Sequence, residues 1–296
     1  MWQNLRVKGH NTMRQALALV LVLTGTIVLS AGGQAPRMGS QPVDPYKVIG
    51  NIYYVGSIDV SSHIIVTKQG LILIDTGTKE MVPIVQSSIQ KLGHRLSDVK
   101  IILSSHAHWD HVEGHAAMKQ ATGARIMALG EDAASISSGK DTSAANAGGW
   151  TPAKVDRVLK DGDTVTLGEV TLRAYLTPGH TKGCTTWMTD VMDGGRSYAV
   201  VFVGGTSINQ GVRLVGNTRH PGIIDDYAKT FRVLKELRPD VFLAQHGRLY
   251  GMEEKMQRMK TGTGNPFVDP EGYRKFVAAQ EAAYLKQLAE ERGGSK

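Results

Sequence analysis

Four side chains able to bind a metal stand within six residues, in the string His106-Ala107-His108-Trp109-Asp110-His111. Imidazole nitrogens and carboxylate oxygens are the donors Zn²⁺ accepts when no thiolate is offered. Two more histidines share the setting: His180 in Leu176-Thr177-Pro178-Gly179-His180-Thr181, and His246 in Val241-Phe242-Leu243-Ala244-Gln245-His246-Gly247. Six ligands suit two Zn²⁺ with three protein ligands each, which leaves an open position for water. His106 and His108 alternate along an extended segment, so both can face one ion together with His180. Asp110 and His111 follow at the turn and face a second ion with His246. Metal binding lowers the pKa of water to about 7, so this constellation specifies metal-assisted hydrolysis at neutral pH.

Each ligand group follows a short apolar run. Val99-Lys100-Ile101-Ile102-Leu103, Val170–Leu176 and Val241-Phe242-Leu243-Ala244 are strand-like in length and composition. Ligands at the C-terminal ends of strands are the usual arrangement in α/β proteins. Further strands are expected at Tyr46–Val55, Ser62–Lys68, Leu71–Asp75, Arg125–Leu129, Val155–Leu159, Thr164–Leu167, Thr185–Thr189 and Tyr198–Val203, with Gln69-Gly70 as a hairpin turn. Apolar residues at helical spacing predict helices over Thr78–Leu92, Val112–Thr122, Ile223–Leu237 and residues 272–291. Ser135–Pro152, rich in Ser, Gly, Ala and Asn, reads as a long exposed loop. Strands and helices occur in two successive groups with no linker between them. The expected architecture is α/β: a four-layer αββα sandwich forming a single domain over residues 36–296.

The chain has 296 residues, 41% hydrophobic and 21% charged, within the range of globular proteins. Its one cysteine, Cys184, excludes an internal disulfide and a thiolate cluster. Arg6, Lys8 and Arg14 precede the apolar run Ala16–Leu29, and small residues follow at Ser30-Ala31-Gly32-Gly33. This is the layout of a signal peptide within residues 1–35, with Met13 as a second candidate start and a retained anchor as the alternative. Export to the periplasm is the expectation, with no membrane association after cleavage. Loss of the three basic residues takes the formal charge from +7 to +4. No basic cluster with interleaved aromatics exists, so a nucleic-acid partner is not expected.

The His-x-His-x-Asp-His string, with Leu73-Ile74-Asp75-Thr76-Gly77 and Thr177-Pro178-Gly179-His180-Thr181, resembles the signature of the metallo-β-lactamase superfamily. The resemblance spans roughly residues 46–260 and implies the αββα fold. In that family the glyoxalase II and lactonase groups bridge their metals with an aspartate on the strand after the Pro-Gly-His loop. The zinc β-lactamases of the first subclass place a cysteine there. Here Ala199–Val203 runs into Gly204-Gly205-Thr206-Ser207, which offers neither. The subclass B3 enzymes lack both and use the His of Asp-His as a ligand, a role that falls on His111. Ser207–Asn217, Asp225-Asp226-Tyr227 and Thr230-Phe231 also resemble B3 segments. The chain departs from them at Val212, where an aromatic is common, and at Gly205, where serine is.

The resemblance implies a β-lactam substrate, opened by a hydroxide held between two Zn²⁺. Asp110 would orient that hydroxide, and Asp110 and His180 would be indispensable to catalysis. Thr206 or Ser207 would bind the substrate carboxylate, and Asp75 would orient a metal-bound histidine. Another exported hydrolase acting on a lactone, thioester or phosphoester is the alternative within the fold. A non-catalytic zinc-binding protein is the alternative outside it. His115 is expected to have a surface or capping role, with support of a metal ligand as the alternative, and His10, His63, His94 and His220 to be structural or exposed. Trp109 is expected beneath the loop and Cys184 as a small buried apolar residue; a monomer is the simplest oligomeric state.

Overall fold

The computed structural model describes residues 37–262 and 264–293. The expected signal peptide, including His10 and both candidate starts, lies outside the described residues. Elements follow the order β1 (Tyr46–Ile49), β2 (Ile52–Tyr54), β3 (His63–Thr67), β4 (Gly70–Ile74), α1 (Met81–Lys91), β5 (Val99–Leu103), α2 (Trp109–Val112), α3 (His115–Thr122), β6 (Arg125–Leu129), α4 (Gly130–Ser138), β7 (Arg157–Leu159), β8 (Thr164–Leu167), β9 (Val170–Leu176), β10 (Thr185–Asp193), β11 (Arg196–Val203), α5 (Ile223–Glu236), β12 (Val241–Ala244), α6 (Met252–Thr261) and α7 (Pro270–Gly293).

Strands β1 to β7 form one sheet in sequence order, antiparallel as far as β4 and parallel from β4 onward. The second sheet has the order β12-β11-β10-β9-β8, with β12 parallel to β11 and the rest antiparallel. Both faces of the central strands are apolar because both are covered. Ile72, Ile74, Ile101, Leu103, Met127 and Leu129 face the second sheet. Leu71, Leu73, Ile102, Ile126 and Ala128 pack under Met81, Val85 and Ile89 of α1, Met118 of α3 and Ile136 of α4. On the far side Tyr227 and Phe231 of α5 and Phe276 and Val277 of α7 cover the second sheet. The αββα sandwich expected from the sequence is the observed architecture.

A bulge in β5 sets which residues face which layer. Leu71 pairs with Val99 but Ile72 pairs with Ile101, so Lys100 is the extra residue. Its side chain turns to solvent and donates to the Ser97 carbonyl. The shift leaves Val99 beneath the helices while Ile101 and Leu103 point at the second sheet.

Several expected elements differ in detail. The Tyr46–Val55 run is a two-strand hairpin turning at Gly50-Asn51. The β3–β4 turn is Lys68-Gln69, and Gly70 already pairs with Thr67 as the first residue of β4. The single helix expected over Val112–Thr122 is two, α2 and α3, because Gly114 N–H donates to the Gly77 carbonyl and leaves helical register. Ser135–Pro152 is not an exposed loop throughout. Gly130–Ser138 is helical, and Asp141, Ser143 and Trp150 are buried. Asp141 folds the segment on itself by accepting the Ser143 and Ala147 amides at 2.8 and 2.5 Å. Helix α6, not among the expected helices, turns Met252 and Met256 to the core. Among the described residues no helix is long and apolar enough to cross a membrane.

Candidate metal centre

The β5 strand ends in Ser104-Ser105, and donors from the second sheet satisfy both carbonyls. Trp187 Nε1 donates to Ser104 O at 3.0 Å and Thr185 N to Ser105 O at 2.7 Å. Pinned at both layers, the chain continues through His106, Ala107 and His108 and turns into α2. The His180 loop after β9 and the His246 loop after β12 reach the same end of the sandwich. Gly179, at φ +126°, lets the first of these loops pass over Tyr227, whose ring a Cβ would meet at 2.8 Å.

The six expected ligands converge. Donor atoms of His106, His108 and His180 lie within 4.8 Å of one another, as do those of His106, Asp110 and His111. Ring centroids of His106, His108 and His180 are 4.5–4.9 Å apart. Asp110 Oδ2 stands between His111 Nε2 at 3.3 Å and His246 Nε2 at 3.4 Å. His106 therefore lies at the seam of two ligand groups, with its ring 4.2 Å from that of His111.

Hydrogen bonds fix which nitrogen each ring presents. His180 Nδ1 is 2.6 Å from the Ser207 carbonyl, which can only accept, so Nδ1 carries the proton and Nε2 is free. His246 Nδ1 donates likewise to Asp59 O at 3.0 Å. Ser105 spends its hydroxyl proton on Asp75 and so accepts from His106 Nδ1 at 3.0 Å. His108 uses Nε2 on Ser143 Oγ at 3.0 Å, which leaves Nδ1 for the cluster. Neither nitrogen of the fully buried His111 has a hydrogen-bond partner among the described residues. Its Nδ1 is 3.3 Å from Asp75 and its Nε2 3.3 Å from Asp110. An orphaned buried imidazole beside free nitrogens and a carboxylate is the signature of a metal site, and the residues fit a metal ion.

Charge supports that fit. Burial keeps His106 well below its ordinary pKa and pushes His108 down to about 4, His180 to about 3 and His246 to about 4. These rings are neutral at pH 7, as ligands must be. For His111 burial acts in the same direction, but the Asp110 and Asp75 carboxylates outweigh it and raise it to about 10. A metal ion would displace that proton. Burial acts to raise Asp110, yet His111 and its neighbours hold it ionised, below the carboxylate range.

Asp75 lies beneath the centre at φ +57°, a left-handed conformation that Asp tolerates better than most residues. Its oxygens accept Ser105 N at 2.7 Å and Ser105 Oγ at 2.6 Å. The following Thr76 and Gly77 amides both donate to the His111 carbonyl at 3.1 Å. The Asp75-Thr76-Gly77 turn thus holds His111 by ring and backbone.

Two expectations change. Thr206 is buried and its hydroxyl donates to Gln280 Oε1 at 3.1 Å, so it does not face a substrate. The exposed Ser207 side chain remains available. His115 is fully buried rather than superficial, with Nδ1 on Thr76 Oγ1 and Nε2 on Ser104 Oγ, both at 2.7 Å. It ties the turn under the centre to the end of β5. Of the remaining histidines, His63 packs between Tyr54 and Phe202, His94 is half-buried and His220 pairs with Asp226. Trp109 is partly buried against the α1–α4 layer, and Cys184 is buried.

Sequence reasoning did not single out Asp132. This buried carboxylate on α4 accepts Ala107 N at 2.8 Å, Thr181 Oγ1 at 2.6 Å and Gly183 N at 2.8 Å. It joins the His106–His108 segment to the His180 loop, across the two sheets.

Comparison with known proteins agrees with this geometry. The family model for the metallo-beta-lactamase superfamily matches residues 55–246. The solved structure of native FEZ-1 metallo-beta-lactamase from Legionella gormanii is 39% identical, covering 86% of this chain and 98% of that one at a TM-score of 0.84. BJP-1, a subclass B3 metallo-beta-lactamase of Bradyrhizobium japonicum, is 37% identical, covering 88% and 99% of the chains at 0.82. A hydroxyacylglutathione hydrolase of Methylobacterium nodulans is 36% identical over 93 residues, 31% of this chain and 29% of that protein. The chain spans under a third of the length of the first curated relatives it matches. The chain belongs to the metallo-beta-lactamase superfamily, and its site is that of a metallo-hydrolase.

Proposed function

We propose that this protein is an exported zinc hydrolase that opens the amide ring of β-lactams. One observation carries the reading. The second ligand group contains His111, held by Asp75 and Asp110, while Gly204–Ser207 contributes no carboxylate or thiolate. Likeness to two metallo-beta-lactamases over nearly their whole length supports it, against a likeness to hydroxyacylglutathione hydrolases that covers from 28% to 57% of the chain.

His106, His108 and His180 would hold one Zn²⁺, and Asp110, His111 and His246 a second. Bound there, zinc supplies Lewis acidity and hydroxide at neutral pH. The rest falls to the chain's own groups. Asp110, kept ionised beside His111 and partly exposed, orients the attacking water through a hydrogen bond. His180, fixed through Nδ1 by Ser207 O, keeps its Nε2 aimed inward during turnover. The exposed Ser207 hydroxyl is offered to the carboxylate that β-lactams carry beside the ring nitrogen. Asp75 and Ser105 hold His106 and His111 still while charge develops at the reacting carbonyl.

The test is a panel of a penicillin, a cephalosporin, a carbapenem, an acyl-homoserine lactone and a hydroxyacylglutathione thioester, each with and without a chelator. Chelator-sensitive β-lactam turnover is expected. Turnover of the thioester alone would establish the second reading, which the local likeness to hydroxyacylglutathione hydrolases favours. Metal analysis of active protein is expected to give two zinc ions per chain. Export to the periplasm belongs to the same proposal. N-terminal sequencing of the mature protein is expected to begin after the Ala16–Leu29 run, and a mature chain that retains it refutes cleavage in favour of a retained anchor. Light scattering is expected to return the mass of a monomer.

A further inference from the structure

Between β11 and α5 the chain runs from Gly204 to Gly222 without regular structure. An irregular connection of this length in a compact domain is usually functional or mobile. One end is fixed at the metal centre, where Ser207 O receives both His180 Nδ1 at 2.6 Å and Tyr227 OH at 2.8 Å. The other end is held by α7, an element the proposed chemistry does not use.

The hold is organised by helical spacing. Gln280, Tyr284, Gln287 and Glu291 follow one another at four, three and four residues, which places them on one side of α7. Three of them reach the segment that follows β11, and Tyr284 reaches the first turn of α5. Gln280 Oε1 accepts Thr206 Oγ1 at 3.1 Å, and Tyr284 OH donates to Ile224 O at 3.0 Å. Gln287 Nε2 donates to Val212 O at 2.9 Å. Glu291 Oε2 accepts the consecutive amides of Leu214 and Val215, both at 2.8 Å. Gln287 also donates to Glu291 Oε1 at 2.8 Å, so the two act as a unit. A carboxylate on two successive amides fixes chain direction as well as position, and such charge-assisted bonds are the strong ones. Between the two anchors lie Ile208 to Gly211, with Gln210 and Gly211 exposed beside Ser207.

We propose that Gln287 and Glu291 are positioning residues that clamp the 207–215 segment at a fixed height over the metal centre and thereby set how tightly the site holds its substrate. The proposal rests on the hydrolase reading above and adds a role for the C-terminal helix. Released from α7, the segment stays attached through Ser207 but loses its second support. Ser207 and Gln210 then meet the substrate from a broader range of positions, so substrate binding weakens and the bond-breaking step does not.

The experiment uses the full chain loaded with zinc, as wild type, Gln287→Ala, Glu291→Ala and the conservative Glu291→Gln. Arg213 is exposed within the clamped segment, so trypsin cleavage after it, followed by intact mass, reports release without reference to activity. Cleavage in Glu291→Ala is expected to rise about tenfold, since proteolysis tracks the opened population. KM for the hydrolysed substrate should rise about fivefold with kcat changed less than about twofold, the pattern of lost uniform binding. Zinc content should not change, and Glu291→Gln, which keeps an acceptor oxygen, should lie between wild type and Glu291→Ala. Unchanged cleavage at Arg213 overturns the clamp. So does a fall in kcat and zinc content at constant KM, which marks a general structural role. Should the wild type hydrolyse only a thioester, the β-lactam reading fails, while cleavage and the thioester KM still decide the clamp.

Discussion

The His180 imidazole lies directly against the backbone of Gly205: a Cβ at position 205 would stand 2.1 Å from His180 Cδ2 and 2.5 Å from Cγ. The missing side chain two residues past β11 is therefore what lets the His180 ring lie directly against the backbone there. The space that a side chain at position 205 would fill is taken up here by the His180 ring.

Gly205→Ser should displace His180 and weaken metal binding by about tenfold or more, the scale seen when ligand support is lost. Competition against a chromogenic chelator measures this. Wild-type affinity in Gly205→Ser would show that the ring has room to move.

His180→Ala and Asp110→Ala should each reduce kcat/KM by at least about a hundredfold, because each removes a metal donor outright. Circular dichroism of the chelated variants should match chelated wild type, since His180 lies in a loop and Asp110 in the first turn of α2, both outside the apolar core. Unchanged turnover in either variant sinks the site assignment.

Asp132→Ala should be the most destabilising single change near the site. It leaves the Ala107 and Gly183 amides and the Thr181 hydroxyl without their shared acceptor in a buried place. A cost of about 3 kcal/mol or more is expected in urea unfolding of the chelated protein. Thr181→Ala, which removes one donor and leaves the other two paired, should cost about 1 kcal/mol.

The chelated protein should be most stable near pH 6.5 to 7. His111 is raised from 6.5 to about 10, so its stabilising contribution is complete below 6.5 and is lost as pH rises through about 10. His108, His180 and His246 are depressed to about 4, 3 and 4, so the folded state binds fewer protons than the unfolded one and loses stability as pH falls from 6.5 toward those values. Melting temperatures from pH 4 to 10 test both limbs, and His111→Ala should flatten the alkaline one. An alkaline limb of undiminished slope in that variant would refute the assignment to His111.

The ligands were legible in the sequence because each group closes an apolar strand run, so adjacency along the chain foretold adjacency in space. Asp75 was legible for the same reason, at the end of β4. What supports them was not. Asp132 meets Ala107 across 25 residues and Gly183 across 51, and no local pattern encodes such partners. His115 was misread because its partners, Thr76 and Ser104, come from two other strand ends. Thr206 is adjacent to Ser207 yet faces away, toward Gln280 on a helix 74 residues later. The Ser135–Pro152 segment failed by composition: small polar residues describe a loop well, but here Asp141 and Trp150 pack inside it.

The ligand set is divided between the two sheets: His106, His108, Asp110 and His111 follow β5 of one, and His180 and His246 follow β9 and β12 of the other. A metal held by both groups is thus a seam joining the halves of the sandwich, as well as a reagent. Amide protons near Leu103, Leu176 and Ala244, far apart in sequence and carried by different sheets, should then exchange with solvent as one cooperative unit. The opening free energy of that unit should rise with metal occupancy.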